Sequence, residues 1–405
     1  MRALAIGLLS FVIAFDAMAA VQFRQNLTGK GSLEKHWTVL SGDWTEEDGV
    51  LIGRSTAEAD QAWLMFNGER SDFDLTLYFK TPVACNGGVQ IRSHWMPKLP
   101  LKEGEAPEHD FHGYQMNIDT RAEDVTGNIL DKNGRWGMVG TSPEAQAVVK
   151  PTDWNKMTIV ARGPLMEVYL NGVLANRLHD ERYLSGFVGL QVEALADGSP
   201  GEIHYKDISL PQYDHGRLGD WTSLFNGENL DGWTVWGTEE FSVEDGTIVG
   251  RSGPKKSEGY LLTDGIWKDF RVRGRFKMLG EGNFGLFYRS TIAYDAEEVP
   301  RINGIQGEVM PGRPAETGRH YESYRRGWLN EENHDDIGAW ALRENEWNEI
   351  EIRGIGNRIT SWVNGIQVTD FHDDNPQVFE GGFALQLHSG GVDGIAWKEL
   401  YVTEP

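Results

Sequence analysis

Apolar and polar residues alternate with a period of two along much of this chain. Phe270-Arg271-Val272-Arg273-Gly274-Arg275-Phe276 and Glu349-Ile350-Glu351-Ile352-Arg353 are the clearest runs. Such alternation puts one set of side chains in a core and the other in water, which predicts half-buried β-strands. Asn171-Gly172 and Asn364-Gly365 each sit between apolar runs and predict tight hairpins. Glu244-Asp245-Gly246 is a third turn of this kind. Helix-period runs with capping residues are nearly absent. The fold class expected is therefore all-β, built from antiparallel strands.

The pattern occurs twice. Asp48-Gly49-Val50-Leu51-Ile52-Gly53-Arg54-Ser55 returns as Asp245-Gly246-Thr247-Ile248-Val249-Gly250-Arg251-Ser252. Val89-Gln90-Ile91-Arg92-Ser93 returns as Leu286-Phe287-Tyr288-Arg289-Ser290, and Tyr169-Leu170-Asn171-Gly172-Val173 as Trp362-Val363-Asn364-Gly365-Ile366. A unit this long is a domain, since solenoid repeats are far shorter. The expectation is two tandem β-sandwich domains of jelly-roll type, at 20–212 and 220–405, joined by a polar linker at 213–219.

Composition narrows the function. The chain has 405 residues and a net charge of −23, from 61 acidic and 38 basic residues. That argues against nucleic acid or an anionic membrane surface as partner, since both need a basic face. Residues 1–19 carry Arg2, an apolar run from Leu4 to Phe15 and Ala17-Met18-Ala19, the plan of a secretory signal peptide, with a core too short to span a bilayer. A periplasmic or secreted location is expected, without membrane insertion. Cys85 is the only cysteine, so no intrachain disulfide is available, and its ordinary role is that of a small buried hydrophobe.

The second unit opens Ser223-Leu224-Phe225-Asn226-Gly227-Glu228-Asn229-Leu230-Asp231-Gly232-Trp233. It continues through Gly282-Asn283-Phe284-Gly285, Asn303-Gly304-Ile305-Gln306-Gly307-Glu308, Thr317-Gly318-Arg319-His320-Tyr321-Glu322 and Leu385-Gln386-Leu387-His388. In this order the motifs resemble the 3-keto-disaccharide hydrolase family, and the resemblance covers nearly all of 220–405. It implies a concanavalin A-like jelly roll acting on a sugar oxidised at C3. A ketone at C3 acidifies the C2 hydrogen; a base removes it, and expulsion of the C1 substituent breaks the glycosidic bond. The first unit matches more loosely. Asn117 stands where the second unit has Glu308, Leu130 where it has Tyr321, and Glu193 where it has His388. The second domain is therefore the better candidate for chemistry.

For that chemistry the resemblance nominates Glu308 and His388 as acid or base, Arg289 to stabilise enediolate charge, and Tyr321 to donate a proton or stack on a ring. Gln306, Gln386, Glu322, Arg326 and His320 are the substrate-binding candidates. A divalent metal held by Glu308, His388 and His320 is a further option, though no tight ligand spacing marks one. Strand parity puts Gln306 with Glu308, and Gln386 with His388, on faces opposite Leu385 and Leu387. An ordinary solvated sandwich face would show the same parity. The competing function is a non-catalytic carbohydrate-binding or adhesion protein, since the fold alone does not decide. No convincing pair of strand carboxylates marks a retaining glucanase site. The acidic run at 330–336 is either a hydrated loop or an oxygen-rich cation site.

Overall fold

The computed structural model describes residues 26–97, 109–121, 125–211, 221–329 and 340–405. The leader-like N-terminus, the polar linker and the acidic run lie outside these residues. The described chain forms four antiparallel sheets, two in each half, stacked as two tandem sandwiches. The strands follow from the alternation. Phe270–Met278 alternates buried and half-buried positions without a break, and Phe73–Lys80 does the same in the first half. No helix among the described residues is long and apolar enough to cross a membrane.

In the second half the front sheet runs in the order Trp233–Trp236, Gly259–Thr263, Gly382–Leu387, Phe284–Tyr294, Pro300–Val309, His320–Glu322, Gly327–Trp328. The back sheet has Phe270–Met278 near its centre, between Ile395–Thr403 and Asn348–Ile355. Leu286, Tyr288, Ile305, Val309, Leu385 and Leu387 point between the two sheets and pack on Val272, Ile350 and Trp397. Their alternate neighbours therefore face outward from the front sheet.

The first half repeats this plan. Its front sheet centres on Asn86–Pro97, flanked by Phe187–Glu193 and His109–Asp119. Gly88 lies opposite Asn117, as Gly285 lies opposite Glu308. The two front sheets can therefore be superposed position by position.

The halves are tied together. The Glu181 carboxylate takes both terminal nitrogens of Arg353 at 2.6 Å, and Trp362 Nε1 donates to Glu181 O at 2.7 Å. Leu184 N donates to Gly365 O at 2.8 Å, and Arg343 pairs with Glu69. The Asn364-Gly365 hairpin thus docks on the first half. Gly365 has φ 77°, and a Cβ there would lie 2.5 Å from Ser185 N. Its counterpart Gly172 has nothing within reach.

Candidate functional site

The outer face of the second front sheet is built on a floor without a side chain. Gly285 is flanked by Glu308 on one neighbouring strand and Gln386 on the other, and Tyr260 lies beyond Gln386. Glu308 and Gln386 are thus two strands apart, about 10 Å at roughly 4.8 Å per strand. The Gln306 side chain crosses the glycine, where any Cβ would collide with it at 2.5 Å. Its amide donates to Phe284 O and to Glu308 Oε1, both at 3.1 Å.

Glu308 is 3 % exposed. Burial, reinforced by the nearby Glu316 charge, pushes its carboxyl up to about 8; Arg313 and a hydrogen bond from Asn283 oppose the rise. Such a group takes and gives protons near neutral pH. Around it are acceptors with no protein partner: Asn283 Oδ1 and Gln386 Oε1 are both buried and unbonded. Buried amide oxygens normally find donors, so one orphan by the carboxyl and another about 10 Å away across the Gly285 floor leave acceptors open to hydroxyl groups.

His388 stands on the same face one row further along, opposite Asn283 and Glu258. Its ring is partly exposed. Nδ1 lies 2.9 Å from Ser389 O, and Nε2 lies 3.9 Å from Glu258 Oε1. A carbonyl only accepts, so Nδ1 carries the proton. Glu258 in turn accepts from Tyr260 at 2.8 Å and from Tyr324.

Tyr321 also belongs to this face. It lies opposite Gln306 and meets Trp328 edge to face at 5.3 Å. A guanidinium is present as well, but it is that of Arg319. Arg319 O accepts from Glu308 N, and its guanidinium carbon lies 4.5 Å over Trp328.

Four nominated residues lie elsewhere. Arg289 sits at a bulge with φ 51°, and its guanidinium donates to Lys268 O at 3.0 Å and Gly356 O at 2.8 Å. It is four residues along from Gly285, about 13 Å at roughly 3.3 Å per residue, and turned to a different set of partners. Arg92 in the first half has φ 46° and donates to Ser71 O and Gly163 O. The pair is a clamp of the fold, and Arg289 does not join Glu308.

His320 lies opposite Gly307, whose missing side chain would meet Ile352, and so faces the sandwich interior. Burial holds its imidazole down to about 3, and Tyr288 Oη is 3.2 Å from Nδ1. Glu322 is fully buried on that side, paired with Arg326, which also grips Asp373 with two bonds of 2.8 Å. These are internal ties. Because His320 is on the far side of the sheet, it cannot share a metal with Glu308 and His388. Among the described residues no cluster of three or more His, Cys, Asp or Glu is placed to hold one.

Three tryptophans and the cysteine are structural. Trp233 is core, its indole donating to Leu224 O at 2.6 Å, and Trp267 packs on Phe383 at 4.7 Å. Trp236 lies against Tyr294 beside the outer apolar cluster of Tyr260, Phe287 and Ala384. Cys85 is fully buried, and burial pushes its thiol up to about 11, which leaves it unreactive.

The outer face of this jelly-roll sandwich thus carries a buried, protonatable carboxyl and unpartnered amide oxygens. The chain belongs to the family of the 3-keto-alpha-glucoside-1,2-lyase-like domain, whose model matches residues 23–211 and again 220–403. No curated protein matches the chain. Among solved structures it is similar to a candidate glycosyl hydrolase of Parabacteroides distasonis, at 16 % identity over 48 % of this chain and 98 % of that one, with a TM-score of 0.35. It is also similar to the carbohydrate-binding module CBM66 of Bacillus subtilis, at 18 % identity over 44 % and 96 %, with a TM-score of 0.32. A Bacillus subtilis protein of unknown function with a galectin-like fold matches at 11 % identity over 46 % and 94 %, with a TM-score of 0.35.

Proposed function

We propose that the second half cleaves glycosides oxidised at C3, with Glu308 as the proton-transfer group at C2. The ionised carboxylate takes the C2 hydrogen, and the electron pair left behind is delocalised into the C3 ketone as an enediolate. The Asn283 amide lies beside Glu308 and stabilises that charge, with the Arg319 guanidinium over Trp328 on the same face. The enediolate then collapses: C1–O breaks, its electrons go to the departing oxygen, and a C1=C2 double bond forms. His388, held near Glu258 on the other side of the Gly285 floor, protonates that oxygen. Addition of water across the double bond completes net hydrolysis. The unpartnered oxygen of Gln386 accepts from a sugar hydroxyl, and Tyr321 and Trp328 offer ring faces.

The raised carboxyl of Glu308 is the observation that supports this reading most. A carboxylate that is costly to ionise is a stronger base once ionised, which removal of a carbon-bound proton requires. The leader-like N-terminus supports action outside the cytoplasm. The test is incubation with 3-keto-glucosides and their unoxidised parents, using wild type and Glu308→Gln. Turnover confined to the oxidised sugars and lost in the variant supports the reading; equal turnover of unoxidised sugars rejects the elimination chemistry.

For the first half we infer binding without catalysis. Trp95 and Trp136 stand exposed at the same outer face, with Trp95 packed on Phe111 and Lys132 beside Trp136. Saccharide binding that survives Glu308→Gln and falls in Trp136→Ala is the expected outcome. Unchanged binding in Trp136→Ala excludes it.

A further inference from the structure

A concavity of about 900 Å³ opens between the two halves. The polar face of Phe270–Met278 forms its wall, not the solvated surface that alternation alone implies. Arg271, Arg273 and Arg275 project from that face in a ladder, with Glu351 opposite Arg273 and Glu349 opposite Arg275. The first half closes the cleft with Glu69 and with the segment that docks on the Asn364-Gly365 hairpin.

Most charges in the cleft are already answered. Arg271 pairs with Glu351, Arg343 with Glu69, and Arg275 reaches Glu399 at 3.6 Å. Arg273 is different. Its guanidinium lies 4.9 Å from the Trp221 ring and 5.5 Å from that of Tyr401, and it has no carboxylate within ion-pair distance among the described residues. Stacking holds the planar group by its faces and leaves its N–H edges to find acceptors. Glu349, beside it, is held toward its neutral form by burial, which outweighs the attraction of Arg273. Arg70, which also lines the cleft with no ion pair among the described residues, lies over Phe66 and donates to Glu69 O, so Arg273 is the cation presented at the aromatic wall without a carboxylate, in a chain of net charge −23.

That pattern fits a ligand with one anionic group and a neutral remainder. The volume is that of a small-molecule site and is far larger than an inorganic anion requires. Trp221 and Trp347 supply flat apolar walls, the surfaces on which pyranose C–H faces pack. We propose that the cleft between the halves is a second carbohydrate site, taking a saccharide that carries a carboxylate. Arg273 grips the carboxylate through two N–H groups, and Glu349 bonds a hydroxyl. Ligand binding there bridges both sandwiches. The site stands apart from the Glu308 face and does not rest on its chemistry.

The test is calorimetric titration of the full chain with digalacturonic acid, with neutral galactobiose and with sodium sulfate. Saturable digalacturonate binding is expected, at least about tenfold tighter than galactobiose or sulfate, weakened about tenfold or more in Arg273→Gln and unchanged in Glu308→Gln. Arg273→Lys keeps the charge and loses the fork, so it must also weaken binding, with an unaltered melting curve. No saturable binding to the wild type, wild-type affinity in either Arg273 variant, or sulfate binding as tightly as digalacturonate would each overturn the proposal. Loss in Glu308→Gln with retention in Arg273→Gln would move the ligand to the other face and overturn it too.

Discussion

The two front sheets share a floor and differ in what stands on it. Around Gly88 in the first half the amides bond to one another: Gln90 to Gln115 at 2.7 Å, Gln115 to Gln191 at 2.8 Å, Gln191 to Glu193 at 3.0 Å, and Asn86 to Glu193 at 2.6 Å. Around Gly285 the chain is broken. Phe287 replaces Gln90, Glu308 replaces Asn117, and His388 replaces Glu193. What remains is a protonatable carboxyl with acceptors left open beside it. The three glutamines of the first face satisfy one another, though Asn86 Oδ1 has no partner, as its counterpart Asn283 Oδ1 has none; what the second face adds is the unbonded Gln386 oxygen and the protonatable carboxyl. The same scaffold thus carries a face whose glutamines bond to one another and a face with a protonatable carboxyl, and a few substitutions separate them.

The sharpest way to break this comparison is to equalise the two positions. Glu308→Gln is expected to reduce turnover of 3-keto-glycosides by about 10²–10⁴-fold, the usual share of a positioned acid–base group. Asn117→Asp is expected to leave kcat/KM within about twofold, because the first face has no role in proton transfer. Steady-state kinetics on both variants checks this.

Stability should respond in the opposite sense. The Glu308 carboxyl holds its proton to about 8 in the folded chain, against 4.5 as its ordinary value. The folded state therefore binds more protons between those limits, and the group's contribution to stability falls as pH rises across that window, remaining fully unfavourable above it. Glu308→Gln removes the cost, so it should stabilise by a few kcal/mol at pH 9 and by little at pH 4, at ~1.4 kcal/mol for each pH unit of displacement. Melting temperatures at the two pH values measure it.

Removing an amide should matter more where the network is closed. Gln115→Leu is expected to cost about 1–3 kcal/mol, because it strands bonded partners on both sides. Gln386→Leu should cost less, since its oxygen has no protein partner to lose. Denaturant unfolding of the two variants compares them. Smallest in size is Glu316→Gln. It removes a charge that raises the Glu308 carboxyl, and the base works ionised, so the acidic limb of the pH–rate profile should move to lower pH by less than about one unit.

Much of this was legible in the sequence. Period-two alternation and Asn-Gly turns pointed to an antiparallel sandwich, and the duplicated motifs aligned Asn117 with Glu308 as the sheet registers do. Parity alone put Gln306 with Glu308 and Gln386 with His388. Arg289 was misread because a bulge is invisible to alternation: positive φ at a non-glycine residue interrupts the strand's phase and turns the side chain away. Which of His320 and Arg319 faces outward depends on pairing with Gly307 and Glu308, a register that no local pattern specifies. Arg319 and Asn283 were inside quoted motifs and still passed over, since nothing before the fold set them beside Glu308. The polar face of Phe270–Met278 read as solvated because the covering surface belongs to the other half of the chain.

The central claim concerns one proton. Carboxyl ¹³C resonances of glutamate-labelled wild type and Glu308→Gln, followed from pH 4 to 10, isolate the titration of Glu308 by difference. A midpoint near 8 is the predicted result. A midpoint at the ordinary 4.5 would mean a solvated carboxylate at this position and would contradict the account.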